Sequence, residues 1–333
     1  MKLYRVRRHG DALQPAQEAE SAREPGKTEV RIRVEAASLN HRDLDELEGG
    51  DGGFIPLSDA AGRVDAVGAD VQRWRIGDRV AVNFFPTWTD GRFKESYLRT
   101  ILGSRHVEGV LAEHTVQPQE SLVSLPEHLT MAEAATLPCA GVTAWRALVD
   151  RGNISRGDTV LVQGTGGVAL FGLQLAASMG ARVIVISSSD AKLERARALG
   201  GSILINYRER PDWDKAVMEH TGGAGADLIL ELGGPTTLER SIRSVGAGGT
   251  IALIGALGGS GSPTPLGRIH AGNAGILGLT VGSVRHFEAL NAHVSEHGIR
   301  PVIDRVFGFD DVPAAYEHLR SGTHFGKVVV RVA

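Results

Sequence analysis

Cysteine is almost missing from this chain: Cys139 is the single one in 333 residues. One cysteine closes no intramolecular disulfide, so the fold is not a secreted disulfide framework. Long apolar runs are missing too. No stretch approaches the roughly 18 consecutive apolar residues that a membrane-spanning helix needs. The opening MKLYRVRRHGDALQP has no apolar core of the kind a secretory signal carries. Excess basic charge is a third absence. The formal net charge is −3, and no cluster of Lys and Arg is interleaved with aromatics, which argues against a nucleic-acid binder. The expectation is a cytoplasmic protein that meets a small molecule, with neither nucleic acid nor membrane as partner.

Glycine is plentiful, with 43 residues dispersed among 13 prolines, and dispersed glycine points to many tight strand-to-helix turns. The middle of the chain carries the clearest pattern. DTVLVQG (158–164), ARVIVISS (181–188), SILINY (202–207), ADLILEL (226–232), GTIALIG (249–255) and GILGLTV (275–281) are short, continuous apolar runs. Helical stretches such as GVALFGLQLAASMG (167–180) and DAKLERARALG (190–200), with Asp190 as N-cap, lie between them. Continuous apolar strands alternating with helices predict a doubly wound α/β domain on a six-stranded parallel sheet. The first 130 residues differ: EVRIRVEAASL (29–39), GRVDAVGADV (62–71), GDRVAVNF (77–84) and GVLAEHTV (109–116) predict a small, mostly antiparallel β domain. A helical stretch from 130 to 152 opens with a capping box of Thr130 and Glu133. The tail after residue 283 resembles neither half fully; one arrangement open to it is a return to the first domain, with the α/β unit inserted between.

VLVQGTGGVALFGLQLA places Gly164-x-Gly166-x-x-Ala169 at a strand-to-helix junction. The first glycine permits the turn, the second lets backbone approach a pyrophosphate, and the third position sets helix packing. Gly164, Thr165, Gly166, Gly167 and Val168 are therefore the candidate phosphate cradle, at a helix N-terminus whose free N–H groups favour anions. An NAD site places a carboxylate at the end of the following strand. Here that place holds Ser187 and Ser188, with Lys192 one turn into the next helix. Hydroxyls and a cation suit a 2′-phosphate, so NADPH is the expected cofactor; the alternative is that Lys192 is a solvated helix residue and the serines are turn formers.

Together AASLNHRDL, DAAGRVDAVGADVQRWRIGDRV, GVLAEH, LPCAGVTAW, VQGTGGV, GADLILELGG and HFGKVVV resemble the medium-chain dehydrogenase/reductase superfamily over nearly the whole chain. The resemblance implies a GroES-like β-rich catalytic domain from 1–140 and 284–333, and a central Rossmann domain from 141–283. It implies further cofactor contacts at Asn206 and Tyr207, at Glu231 and Gly233, at Ile254, Gly255 and Ala256, and at Phe325 and Lys327, the last on a phosphate. Zinc-dependent members hold a catalytic metal through cysteine, histidine and a further cysteine. Here those positions read Asn40, Ser58 and Cys139, and the region of the family's four-cysteine structural lobe contains no cysteine. A catalytic zinc needs three protein donors, and amide and hydroxyl oxygens are poor ones. No metal is expected, and Cys139 reads as a relict ligand position.

The zinc-free branch, which AASLNHRDL and LPCAGVTAWRAL resemble, comprises quinone oxidoreductases and enone reductases. The implied activity is hydride transfer from NADPH to a quinone, enone or similar activated carbonyl compound. Asn40 and Asp43 would face the nicotinamide, with the Asn40 amide donating to the substrate carbonyl. The same NHRD also reads as a plain helix start, with Asn40 as N-cap and Asp43 at its third position. Thr143 matches a position near the nicotinamide, while as a helical threonine it can equally bond back to its own helix. His41 is a candidate proton relay or a surface residue, and Phe85 and Trp88 are candidate pocket walls or packing anchors. Two other readings stand beside the first. One is an alcohol dehydrogenase with an irregular zinc site drawn from His41, Asp59 and Cys139, and the other is a non-catalytic NADPH-binding protein. A homodimer through the edge strand GILGLTV is expected, since an open sheet edge must be paired or covered.

Overall fold

The computed structural model describes residues 1–48, 51–255 and 266–333. They form two compact units, one of Met1–Val142 with Val281–Ala333 and the other of Thr143–Thr280.

In the second unit six strands run parallel in the spatial order Gly201–Asn206, Arg182–Ser187, Thr159–Gln163, Ala226–Glu231, Val245–Leu253, Gly275–Gly278. The chain thus builds outward on one side, returns to the centre, and builds outward on the other. Right-handed crossovers then put helices on both faces. Both faces being covered explains the unbroken apolar runs: every residue of Thr159–Gln163 is buried. Leu161, Ile184, Ile205, Ile229 and Ile251 meet Trp213 and Ile242 in one core cluster. The helix Asp190–Ala198 begins one residue earlier in capping terms than its sequence suggests. Ser189 is the N-cap, its hydroxyl accepting from Lys192 N at 3.4 Å, and Asp190 is the first helical residue.

In the first unit a seven-stranded sheet runs Ile303–Gly308, Lys327–Arg331, Glu29–Leu39, Asp59–Val67, Arg79–Val82, Leu122–Ser124, with His114–Pro118 added on Glu29–Leu39. All pairs are antiparallel except Ile303–Gly308 with Lys327–Arg331, which the helix Val312–Arg320 connects. Residues from the two ends of the sequence therefore share one sheet. Lys2–His9 and Ala12–Ala19 form a separate hairpin, an element that the pattern of Arg, Gln and Pro15 in those residues did not announce. The stretch from Met131 to Arg151 is helical, with the capping box of Thr130 and Glu133 formed, but it widens to π turns at Leu137–Gly141 and Arg146–Arg151. Cys139 lies on the first of these, next to Pro138, whose missing N–H cannot continue an α-helical ladder.

Candidate active site: a phosphate cradle and a buried amide

The strand Thr159–Gln163 leaves the sheet at Gly164, whose φ of +77° any residue with a Cβ resists. Its N–H is held by Ile186 O at 2.7 Å. A Cβ added at Gly164 or Gly166 would meet nothing within 4 Å, so the turn leaves open space that only hydrogens border. Gly166 caps the helix Gly167–Ser178 without any side-chain bond, and the first intrahelical bond is Leu170 N to Gly166 O. Among the described residues the amides of Gly167, Val168 and Ala169 have no intrahelical acceptor, at a positive helix end of the kind that receives phosphate oxygens. Thr165 is buried in the same turn.

The neighbouring strand ends are tied together. Glu231, wholly buried, accepts hydrogen bonds from Gln163 Nε2 (2.8 Å), Gly233 N (3.0 Å), Gly234 N (2.9 Å), and the hydroxyls of Thr237 and Ser241. Its backbone oxygen accepts from Ile254 N and Gly255 N. Glu231 is therefore no direct cofactor contact, because burial and these internal donors consume its carboxylate. It shapes the turn through Gly233. Gln163, which sequence reasoning passed over, locks that turn as well through Leu232 N and Gly233 N. A glutamine closing an otherwise apolar strand was the available signal. Ala256 lies outside the described residues.

Beside these, Ser187 pairs in register with Asn206. Asn206 Nδ2 donates to Asp190 Oδ1 at 2.8 Å, Tyr207 N donates to Ser187 O at 3.0 Å, and the Tyr207 ring is exposed. Ser188 and Lys192 are half-buried at the same edge. The structure thus gathers Ser187, Ser188, Lys192, Asn206 and Tyr207.

The first unit holds a polar cluster of its own. Asn40 follows the strand Glu29–Leu39 directly, and Asp59 opens its neighbour Asp59–Val67. Asn40 Nδ2 donates to Asp59 Oδ2 at 3.0 Å, and Lys327 Nζ donates to Asn40 Oδ1 at 2.5 Å and to Leu39 O at 2.6 Å. Ser58 Oγ (2.9 Å) and Cys139 N (3.3 Å) complete the donors to Asp59, with Lys327 Nζ 3.9 Å away. Burial raises the Asp59 carboxyl above its ordinary pKa against the pull of Lys327. Burial also raises the Cys139 thiol, and the Asp59 charge adds to it, so Cys139 is a neutral thiol rather than a nucleophile.

Several expectations change here. Lys327 is no phosphate contact: it is buried and bound within the amide cluster. The Phe325 ring is buried, and its N–H goes to Asp304 Oδ1 at 3.0 Å, so it offers no face to a cofactor. Phe85 and Trp88 are fully buried in edge-to-face contact with each other and with Phe93, as packing anchors. His41 is exposed, 3.8 Å from Asp45. The N-cap of the helix Arg42–Asp45 is His41 rather than Asn40, with no side-chain capping bond, and Asp43 reaches back past it, accepting from Asn40 N at 2.7 Å. Thr143 is buried on Val142–Trp145 and belongs to the other unit.

The Asp43 carboxyl is pushed up to about 6, chiefly by burial and against the nearby Arg42 guanidinium. A folded-state pKa above the unfolded one means that the folded chain holds this proton more tightly. The stabilisation is complete below about pH 4 and lost as pH rises through about 6, some 3 kcal/mol in all. Asp43→Asn, which cannot ionise, should gain about that much on wild type between pH 4 and pH 7. Urea melts of both proteins across the range check it, and parallel curves would remove the argument.

The zinc-binding dehydrogenase family model matches residues 167–296, and the alcohol dehydrogenase GroES-like domain model matches 26–127. A zinc-type alcohol dehydrogenase-like protein of Schizosaccharomyces pombe is 40% identical over 338 residues, covering 97% of this chain and 96% of its own. The chain belongs to the medium-chain dehydrogenase/reductase superfamily. As a member it is an oxidoreductase, and the family binds a nicotinamide cofactor. A candidate alcohol dehydrogenase from Sinorhizobium meliloti 1021 superposes with a TM-score of 0.92 at 42% identity, over 99% of this chain and 98% of the other. An NAD-dependent alcohol dehydrogenase gives 0.89 at 34%, over the whole of both chains. The quinone oxidoreductase of Coxiella burnetii gives 0.78 at 26%, over 100% and 99%. No described helix is long and apolar enough to cross a membrane.

Proposed function

We propose that the protein is a zinc-independent, NADPH-dependent reductase of quinones, enones or similar activated carbonyl compounds. The observation that carries this reading is the content of the family's metal position. A zinc ion does not fit it. Asn40 and Ser58 are weak neutral donors, the oxygens of Asp59 already accept from Ser58, Asn40 and Cys139 N, and the Lys327 ammonium lies 3.9 Å from the Asp59 carboxylate. Among the described residues no three His, Cys, Asp or Glu side chains group as a metal site.

Without a Lewis acid, turning an alcohol into an alkoxide at neutral pH is hard, whereas an activated carbonyl needs only modest polarisation, which one amide N–H supplies. The residues fit the cofactor. Gly164, Gly166 and the amides of Gly167, Val168 and Ala169 would hold the pyrophosphate, Ser187, Ser188 and Lys192 the 2′-phosphate, Asn206 and Tyr207 the adenosine side, and Gly233, Ile254 and Gly255 the carboxyl strand ends. When bound, the reduced nicotinamide supplies the hydride, and water supplies the proton that completes the reduction. Asn40 would orient the acceptor by its carbonyl oxygen, with Thr143 packed near the nicotinamide.

NADPH oxidation against quinones, enones and aldehydes, run before and after exhaustive chelation, tests the reading. Activity should survive chelation, and Cys139→Ala should keep most of it. Stoichiometric zinc whose removal abolishes turnover would overturn the reading. That result would support the second reading, an alcohol dehydrogenase, which the naming of the relatives favours.

We also propose a homodimer. Gly275–Gly278 pairs with Val245–Leu253 on one side and with nothing on the other among the described residues, and Leu277 is exposed on it. Pairing with its copy would satisfy that edge. Light scattering should give twice the 35.3 kDa of one chain, and a monomer mass at micromolar concentration would end the proposal.

A further inference from the structure

A carboxamide has two ends of almost equal size, so the shape of a pocket does little to tell its oxygen from its nitrogen. The surroundings of Asn40 distinguish them by charge. The Lys327 ammonium stands 2.5 Å from Oδ1, and the Asp59 carboxylate stands 3.0 Å from Nδ2. Turning the amide over would set two donors against each other at Lys327 and two acceptors at Asp59. Water cannot soften either clash, because the Lys327 and Asp59 side chains are 4% and 0% exposed. Each charge is also anchored independently of the amide. Lys327 Nζ is bonded to Leu39 O, and Asp59 accepts from Ser58 Oγ and Cys139 N. The backbone of Asn40 is itself fixed, since its N–H donates to Asp43 Oδ2 at 2.7 Å.

We infer that Lys327 and Asp59 are a positioning pair that locks the Asn40 amide in one orientation, so that its second Nδ2 hydrogen is a permanent donor. This rests on the reading of Asn40 as the group that meets the acceptor's carbonyl oxygen. That second hydrogen has no partner among the described residues, and Asn40 is partly exposed, unlike Asp59 and Lys327. A free amide would spend part of its time presenting oxygen, which repels a carbonyl in which negative charge develops during hydride transfer. The lock removes that state before substrate arrives, and preorganised donors are where such sites gain rate.

The test pairs a spectroscopic readout with kinetics. With asparagine labelled in 15N, the wild-type Asn40 side chain should show two resolved amide protons in slow exchange with water. Lys327→Met should speed that exchange at least about tenfold and lower kcat by about tenfold to a hundredfold, with KM for the cofactor little changed. Lys327→Arg should recover part of the loss. In an Asn40→Ala background, Lys327→Met should cost nothing further. Because Lys327→Met alone leaves a buried carboxylate without its counter-charge, Lys327→Met/Asp59→Asn serves as a neutral companion with the same expectations for Asn40.

Unchanged Asn40 exchange in both variants would overturn the inference, as would an equal kinetic loss with and without the Asn40 amide. If Asn40→Ala turns over at the wild-type rate while the exchange responds as expected, the lock stands and the donor reading of Asn40 falls.

Discussion

Ser187→Asp should lower kcat/KM for NADPH by about tenfold to a hundredfold and leave the value for NADH unchanged or higher. Ser187 closes the strand Arg182–Ser187 in register with Asn206, where a carboxylate would face the adenosine ribose. The competing groups nearby are already committed. Ser189 caps the helix, and Asp190 is held by Asn206. An aspartate at 187 would repel a 2′-phosphate and accept from the free hydroxyls of an unphosphorylated ribose. Losing one charge-assisted bond costs about 1.5–3 kcal/mol, and about 1.4 kcal/mol is a factor of ten in efficiency. Steady-state kinetics with both cofactors decide it. A wild-type preference for NADH would show that the serines are turn formers only. An unchanged ratio in the variant would show the same.

Glu231→Ala should be among the most destabilising single changes in the second unit. The carboxylate, itself wholly buried, is the shared acceptor for Gln163 Nε2, Gly233 N, Gly234 N and two hydroxyls. Some donors have a second partner: Gln163 Nε2 keeps Ser241 Oγ at 2.8 Å, and Gly233 N keeps Gln163 Oε1 at 3.2 Å. Gly234 N keeps none among the described bonds. An orphaned buried donor costs about 1–3 kcal/mol, and a small cavity adds to it. The net loss should be about 3–5 kcal/mol, or roughly 10 °C in Tm at about 2–4 °C per kcal/mol. Glu231→Gln, which keeps an acceptor for the turn, should lose about half as much. Calorimetry of the three proteins checks the ranking. A melt of Glu231→Ala within about 2 °C of wild type would mean that the network repairs itself around water.

The second unit was legible because its information is local. VLV, VIVI and LIL are buried on both faces, and only a parallel sheet between helices asks for that. The glycine turn was legible for a similar reason: a φ of +77° at Gly164 is a conformation that favours glycine. The amide cluster was harder to read. NHRD, LSD and LPCAG pointed to Asn40, Ser58 and Cys139, but Lys327 joins them from 287 residues away. Nothing in HFGKVVV says that its lysine turns into the sheet. Phe85 and Trp88 were ambiguous on similar grounds, since an aromatic in a loop is a pocket wall or an anchor depending on what Phe93 and Tyr97 do. The single-residue shift of a helix start from Asp190 to Ser189 is the ordinary ambiguity of two adjacent capping residues.

The first unit's sheet has an implication for the order of events on the ribosome. The strand Glu29–Leu39 finds Asp59–Val67 and His114–Pro118 soon after it is made, but its remaining neighbour, Lys327–Arg331, is translated only after the whole of Thr143–Thr280. The second unit is synthesised in one uninterrupted run and can fold as it emerges. The Asn40 cluster cannot: until residue 327 appears, Asp59 has no ammonium beside it and one edge of the sheet stands open. A nascent chain stalled between residues 281 and 326 would therefore carry a finished dinucleotide fold joined to an unfinished β domain. That intermediate exposes the edge Ala36–Leu39 to whatever strand arrives first.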